Sequence, residues 1–148
     1  MPVVSALLRL SEVFGGLVRK IVLDTSVVIA LLASEEERIP ILEKVRGAQL
    51  VCSDSIVPEV GNAVSAMFKR QRITLEQGAV MVEGFRRLPL SFVSYDLIRA
   101  VELCHIHNIY AYDAYVLECA ERLHLPLMTL DNRMAEVAHT LTIPIVEV

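Results

Sequence analysis

The sequence has no tryptophan, and aromatic residues make up only 5% of it. A broad platform of exposed rings for stacking many bases is therefore not expected. Cysteine is scarce as well: Cys52, Cys104 and Cys119 are scattered without a C-x-x-C pair, which argues against a zinc site and against a disulfide framework. They read as small buried hydrophobes in a reducing compartment. Positive charge is not in excess, since the formal net charge is −4. The chain is thus not a generally basic nucleic-acid binder, although an acidic cluster lowers the total without removing local basic patches. No uninterrupted apolar run is long enough to span a bilayer. The N-terminal stretch lacks a basic start and is interrupted by Arg9 and Glu12. This reads against a secretory signal and toward a cytoplasmic protein without membrane contact.

What is present is a folded composition: 148 residues, 54% hydrophobic and 22% charged, enough for one domain with a real core. Repeats, low-complexity segments and long linkers are missing. Strand patterns alternate with helix patterns, which predicts an α/β fold around a parallel sheet.

Residues 20–24 (KIVLD) read as a short buried strand ending in an acid, with Thr25 or Ser26 capping a helix through Ala33. A second helix is expected over 35–46 and a strand over 49–53. Pro58 suits a first helical turn and Glu59 suits the helix dipole, in a helix running to about Arg70. Thr74–Gln77 (TLEQ) is a capping-box pattern opening a helix to about Arg87. A strand over 92–94, a helix from Asp96 to about His105 and a helix over 113–124 follow. Residues 126–130 are the candidate central strand, ending at Asp131, with a short helix from Asn132 and an edge strand over 143–148. Val3, Leu7, Leu10, Phe14 and Leu17 share one helix face, so residues 1–19 read as an amphipathic N-terminal extension to a domain over 20–148. Packing or a dimer contact is favoured for it over membrane association.

Four acids share a structural address. Asp24 and Asp131 sit where predicted strands run out, and Glu59 and Asp113 sit in first turns of predicted helices. In an open parallel sheet those strand ends are where ligands bind, so the four could converge on one crevice. Magnesium is held by oxygen ligands, usually one or two carboxylates with waters and substrate phosphates. Phosphodiester cleavage needs such a cation to neutralise charge and activate water. Each acid also has a plain structural explanation: a turn and helix start for Asp24, dipole compensation for Glu59, an N-cap for Asp113, turn chemistry for Asp131. The functional reading rests on the set.

The segments Ile21–Ser26 (IVLDTS), Pro58–Asn62 (PEVGN), Tyr112–Val116 (YDAYV) and Thr129–Asp131 (TLD) resemble, in this order, the PIN domain, especially the VapC-type toxins of toxin–antitoxin pairs. The resemblance covers about residue 20 to the C-terminus. It implies a three-layer α/β/α sandwich with a central, mostly parallel sheet, and metal-dependent endoribonuclease activity. Asp24, Glu59 and Asp113 match the core acids and Asp131 a more variable fourth. Thr25 or Ser26 matches a polar ordering position, and Thr129 a hydroxyl near the metal. Asn62, one turn after Glu59, falls on its face and could bond within the site. In the implied mechanism Asp24, Asp113 and Asp131 bind Mg²⁺ or Mn²⁺, while Glu59 adds a ligand or orients a water. The implied partners are an RNA substrate and a small antitoxin, with a homodimer expected. The first 19 residues depart from the family, whose members commonly start near the first strand.

Other features carry two readings. Lys69, Arg70 and Arg72, and Arg86 with Arg87, could touch RNA phosphates, or they are solvated helix ends. His105 and His107 do not share a helix face and read as surface residues rather than metal ligands. Tyr110, Tyr112 and Tyr115 read as core or interface residues before a stacking surface. The helices over 27–32 and 60–68 could form a groove for a partner helix. A non-catalytic PIN-like module, whose acidic crevice binds a basic peptide, is the competing function. A phosphatase is disfavoured because Asp24-Thr-Ser26 lacks the second acid of a D-x-D pair.

Overall fold

The computed structural model describes residues 18–33 and 36–148. In it, four strands, β1 (Lys20–Leu23), β2 (Gln49–Ser53), β3 (Leu90–Val93) and β4 (Leu127–Met128), form one sheet in the order β3-β2-β1-β4. All three pairings are parallel, with Ile21 opposite Leu50, Leu50 opposite Leu90, and Val22 opposite Leu127. The helices among the described residues are α1 (Thr25–Ala33), α2 (Arg38–Lys44), α3 (Ile56–Lys69), α4 (Leu75–Arg87), α5 (Leu97–His107), α6 (Ala111–Leu123) and α7 (Asn132–Thr140).

Alternation along the buried strands sorts the core into two layers. Ile21 and Leu23 of β1, with Leu50 and Cys52 of β2, pack with Val27, Val28 and Leu31 of α1, Ile41 of α2, Val60 of α3 and Phe85 of α4. The intervening Val22 and Val51 point the other way, onto Ala100 and Leu103 of α5, Ala114 and Leu117 of α6, and Val137 of α7. A strand with both faces buried needs apolar residues at every position, which is why 21–23 and 50–52 read as continuous hydrophobic runs. The result is the expected three-layer α/β/α sandwich around a parallel sheet.

The structure corrects several expected boundaries. β2 and α4 fall where expected, and the Thr74 capping box is complete: Thr74 Oγ1 accepts from Gln77 N–H and Gln77 Oε1 accepts from Thr74 N–H. α2 is shorter than 35–46. β3 starts two residues before Phe92 because its ladder with β2 begins at Leu90. The strand expected over 126–130 contains only Leu127 and Met128 in regular pairing and ends the strand order rather than centring it. Its outer side is covered by a single parallel bridge to Ile145, which is all that forms of the edge strand expected over 143–148. The amphipathic helix expected in the extension over residues 1–19 falls, for residues 1–17, outside the described residues.

Candidate active site

Parallel strands put their C-terminal ends on one side, and the site is built there. The β1–β4 ladder runs one residue past β1: Asp24 N–H donates to the Met128 carbonyl at 3.0 Å, which sets Asp24 beside Thr129. The Asp24 carbonyl then accepts from Val27 and Val28 N–H, so the strand passes into α1 without a loop. Asp24 is only 6% exposed. Its Oδ2 accepts from Ser26 Oγ (2.6 Å), Thr129 Oγ1 (3.0 Å) and, more weakly, Ser26 N–H (3.4 Å). Ser26 Oγ accepts in turn from Leu130 N–H, and Thr129 Oγ1 from Asp131 N–H. Two hydroxyls thus tie the ends of β1 and β4 to one carboxylate oxygen, while Oδ1 accepts none of the hydrogen bonds among the described residues. The helix starts at Thr25, so neither Thr25 nor Ser26 serves as the expected cap; Asp24 occupies that position and the hydroxyls are free to reach across.

Glu59, in the first turn of α3, is held from both sides. Thr25 Oγ1 donates to Oε2 and Ser55 Oγ to Oε1, each at 2.9 Å. Ser55 stands at the N-cap position of α3 but makes no capping bond, because its hydroxyl serves Glu59 and lies 3.0 Å from that of buried Ser53. Burial pushes the Glu59 carboxyl above its ordinary range, Thr25 and Ser55 pull it back, and the charges of Asp24 and Asp113 push it up again. Asp113, in the first turn of α6, is half-buried and accepts no hydrogen bond among the described residues. Burial, then Asp24, then Asp131 push its carboxyl up. The N-cap explanation of Asp113 is not what forms, since α6 begins at Ala111 behind Tyr110. Beneath the acids, Cys52 is buried and its thiol is pushed up to about 12, first by burial and then by Asp24 and Glu59, so it is an inert packing residue.

Asp24, Glu59 and Asp113 therefore feel one another's charge, and none of the ion pairs between described residues involves them or Asp131. Asp131 is exposed and caps α7 through Oδ1, which accepts from Met134 N–H at 2.9 Å. Among the described residues, no three His, Cys, Asp or Glu side chains are gathered into a ready-made metal group. The trio Asp24, Asp113 and Asp131 is not preassembled. The chemistry still fits a hard divalent cation: the donors are all carboxylate oxygens, Asp24 Oδ1 and Asp113 have no donor among the described residues, and such ions commonly take one or two carboxylates with waters and phosphate.

The remaining sequence candidates separate. Thr25, Ser26 and Thr129 all bond to the acids. Asn62 is exposed and makes no hydrogen bond to any of them among the described residues. Lys69 and Arg70 end α3, roughly 15 Å along the helix from Glu59. Arg72 lines a separate cleft with Phe68 and Gln77. Arg86 and Arg87 both pair with Glu83 on the surface of α4. α1 gives no partner groove, because Val27, Val28, Ile29, Ala30 and Leu31 are core. Sequence reasoning missed Ser53 and Ser55; the spacing of Ser55 four residues before Glu59 was the available signal.

The family model for the PIN domain matches residues 21–140. Ribonuclease VapC12 of Mycobacterium tuberculosis is 32% identical over 121 residues, 78% of this chain and 90% of that protein. Three solved structures share the fold. PAE2754 from Pyrobaculum aerophilum has a TM-score of 0.64 at 18% identity, over 89% of this chain and 95% of that one. VapBC2 from Rickettsia felis, bound to a promoter DNA fragment, has 0.61 at 15%, over 86% and 97%. FitAcB from Neisseria gonorrhoeae has 0.61 at 17%, over 86% and 96%.

Proposed function

The chain belongs to the PIN domain family, and from that premise we propose that it is a metal-dependent endoribonuclease hydrolysing RNA phosphodiester bonds, the toxin of a type II toxin–antitoxin pair acting in the cytoplasm. The observation that carries this reading is Asp113: a half-buried carboxyl with no donor among the described residues, beside Asp24 and Asp131, whose charges push it up. Such an arrangement is costly in an empty protein and sensible in one that takes up a cation there.

Asp24 Oδ1 and Asp113 are the carboxylates that would hold Mg²⁺ or Mn²⁺, with Asp131 joining directly or through water. A bound ion would neutralise charge on the phosphate oxygens and lower the pKa of an attacking water. The hydroxyls of Ser26 and Thr129 orient Asp24 by occupying Oδ2 and leaving Oδ1 open. Those of Thr25 and Ser55 clamp Glu59, which positions the water or adds a ligand. Similarity to a ribonuclease supports RNA as the substrate.

The proposed partner is a small antitoxin. A cleft of about 500 Å³ between α3, α4 and β3, lined by Val57, Val60, Val82, Phe85 and Phe92, is an apolar surface for it, with Val57 and Phe92 roughly half exposed. A homodimer belongs to the same proposal.

The test is cleavage of a pool of single-stranded and structured RNA with Mg²⁺ or Mn²⁺. Wild type is expected to cut, and Asp24→Asn and Asp113→Asn to lose at least about a hundred-fold in rate, since even outer-shell changes at metal sites cost 10–100-fold. EDTA should abolish cleavage. Undiminished metal-dependent cutting by Asp24→Asn would overturn the assignment. Cation binding without cutting of any RNA would favour the non-catalytic binding module.

A further inference from the structure

Next to the acids lies a cleft of about 390 Å³ whose walls include Asp54, Ser55, Pro58, Tyr95, Tyr112 and Tyr115. It joins the acid site at two points. Ser55 lines the cleft while its hydroxyl holds Glu59, and Tyr112 directly precedes Asp113 on α6. A sequence with four tyrosines places three of them here. The Tyr95 and Tyr115 rings stack at 3.9 Å and 14°, and Tyr112 stands at 87° to Tyr115 with centroids 5.9 Å apart. Tyr112 is 40% exposed, whereas Tyr115 is half-buried and packs partly against the core. Asp54 is exposed at the same cleft, fixed in place by its N–H bond to the Val93 carbonyl, and its carboxylate accepts none of the hydrogen bonds among the described residues.

We propose that this cleft is a nucleobase subsite: it seats the base of a nucleotide flanking the scissile phosphate, stacked on the tyrosine wall with its polar edge toward Asp54. The inference rests on the nuclease reading for the phosphate's position, but the recognition chemistry is the cleft's own. A π-face accepts any base. A carboxylate accepts hydrogen bonds and donates none. Adenine, cytosine and guanine carry exocyclic amino groups that can donate to Asp54. Uracil presents a single N–H between two carbonyl oxygens, which the carboxylate opposes. One position beside the cut should therefore disfavour uracil, while positions farther away are indifferent.

The experiment uses single-stranded oligoribonucleotides in which each base around the cut is varied in turn, together with a set carrying 2-aminopurine at those positions, whose fluorescence is quenched on stacking. With the wild-type protein, one flanking position should show several-fold lower kcat/KM for uracil. Tyr112→Ala should lose about ten-fold, mainly in KM, and lose the quenching, while Tyr112→Phe keeps both. Asp54→Asn should narrow the uracil penalty, because an amide can both donate and accept where a carboxylate only accepts. If wild type cuts RNA but neither variant alters KM, quenching or base preference, the subsite is overturned and the nuclease reading stands. If wild type cuts no RNA, the nuclease reading falls. Quenching that vanishes in Tyr112→Ala then keeps the cleft as a base-binding site, and no quenching in wild type overturns it too.

Discussion

Asp113 and Glu118 lie five residues apart on α6, and their surroundings are opposite. Glu118 is 1% exposed, yet each of its oxygens has a partner. Arg122, one turn on, donates from Nε to Oε1 at 2.6 Å, and Asp96 N–H donates to Oε2 at 3.0 Å. Arg122 also donates to the Ser94 carbonyl, so the buried acid ties the segment after β3 to α6. Beside it, Arg99 forks onto Glu121 at 2.7 and 2.9 Å, binding α5 to α6. Asp113 has none of this and sits instead among other acids. One end of the helix spends its charge on structure, and the other leaves charge uncompensated. Buried acids with complete partners stabilise the fold they belong to, whereas an acid left among acids marks where a cation is expected.

The comparison can be broken from either side. The largest stability effect is expected at Glu118. Glu118→Ala removes a buried side chain, strands Asp96 N–H and frees Arg122, and should cost about 2–4 kcal/mol by chemical denaturation. The figure stays below that for a fully buried pair because Arg122 is 43% exposed and can return to water. A cost under about 1 kcal/mol would mean that the network is ornamental.

Thr129→Val removes the hydroxyl that donates to Asp24 and accepts from Asp131 N–H. It should cost about 1–2 kcal/mol in stability and weaken cation affinity about 10–100-fold, measured by calorimetry. An unchanged affinity would show that Asp24 needs no orienting.

The smallest effect is on pH. Glu59 and Asp113 are raised in the folded protein relative to ordinary values of 4.5 and 3.8. Between the unfolded and folded values the native state holds protons that the unfolded chain has released, so stability falls as pH rises. The stabilisation is fully present below the unfolded values and is lost as pH climbs through the raised folded ones. In EDTA, wild type should lose stability as pH rises from about 4 through that window, and Asp113→Asn should lose less. Equal slopes would contradict the shared-charge picture.

How much was legible in the sequence follows the range of the interactions. β2 and α4 were readable residue by residue because alternation and the Thr74 box are local patterns. The address of the acids was readable because it depends only on strands ending and helices starting. β3 and β4 were misjudged because their lengths are set by partners: β3 by its register on β2, β4 by the few rungs that β1 and Ile145 offer. The bond from Thr25 to Glu59 and the junction of Asp96 with Glu118 depend on segments that meet only after folding. The Glu118–Arg122 pair, at i and i+4, was available to pattern reading and passed over. Asn62 shows the converse. It had the right spacing from Glu59, but spacing fixes a face and not which side chains bond across it.

The central claim is that the acid cluster is uncompensated until a cation arrives, and thermal unfolding with and without Mg²⁺ or Mn²⁺ tests it most directly. Wild-type protein should be stabilised progressively as the ion is titrated, following RT ln(1 + [ion]/Kd). Asp113→Asn should match or exceed wild type in EDTA and respond little to the ion. A wild-type midpoint that neither ion moves, or an Asp113→Asn variant that is stabilised as strongly as wild type, would contradict it.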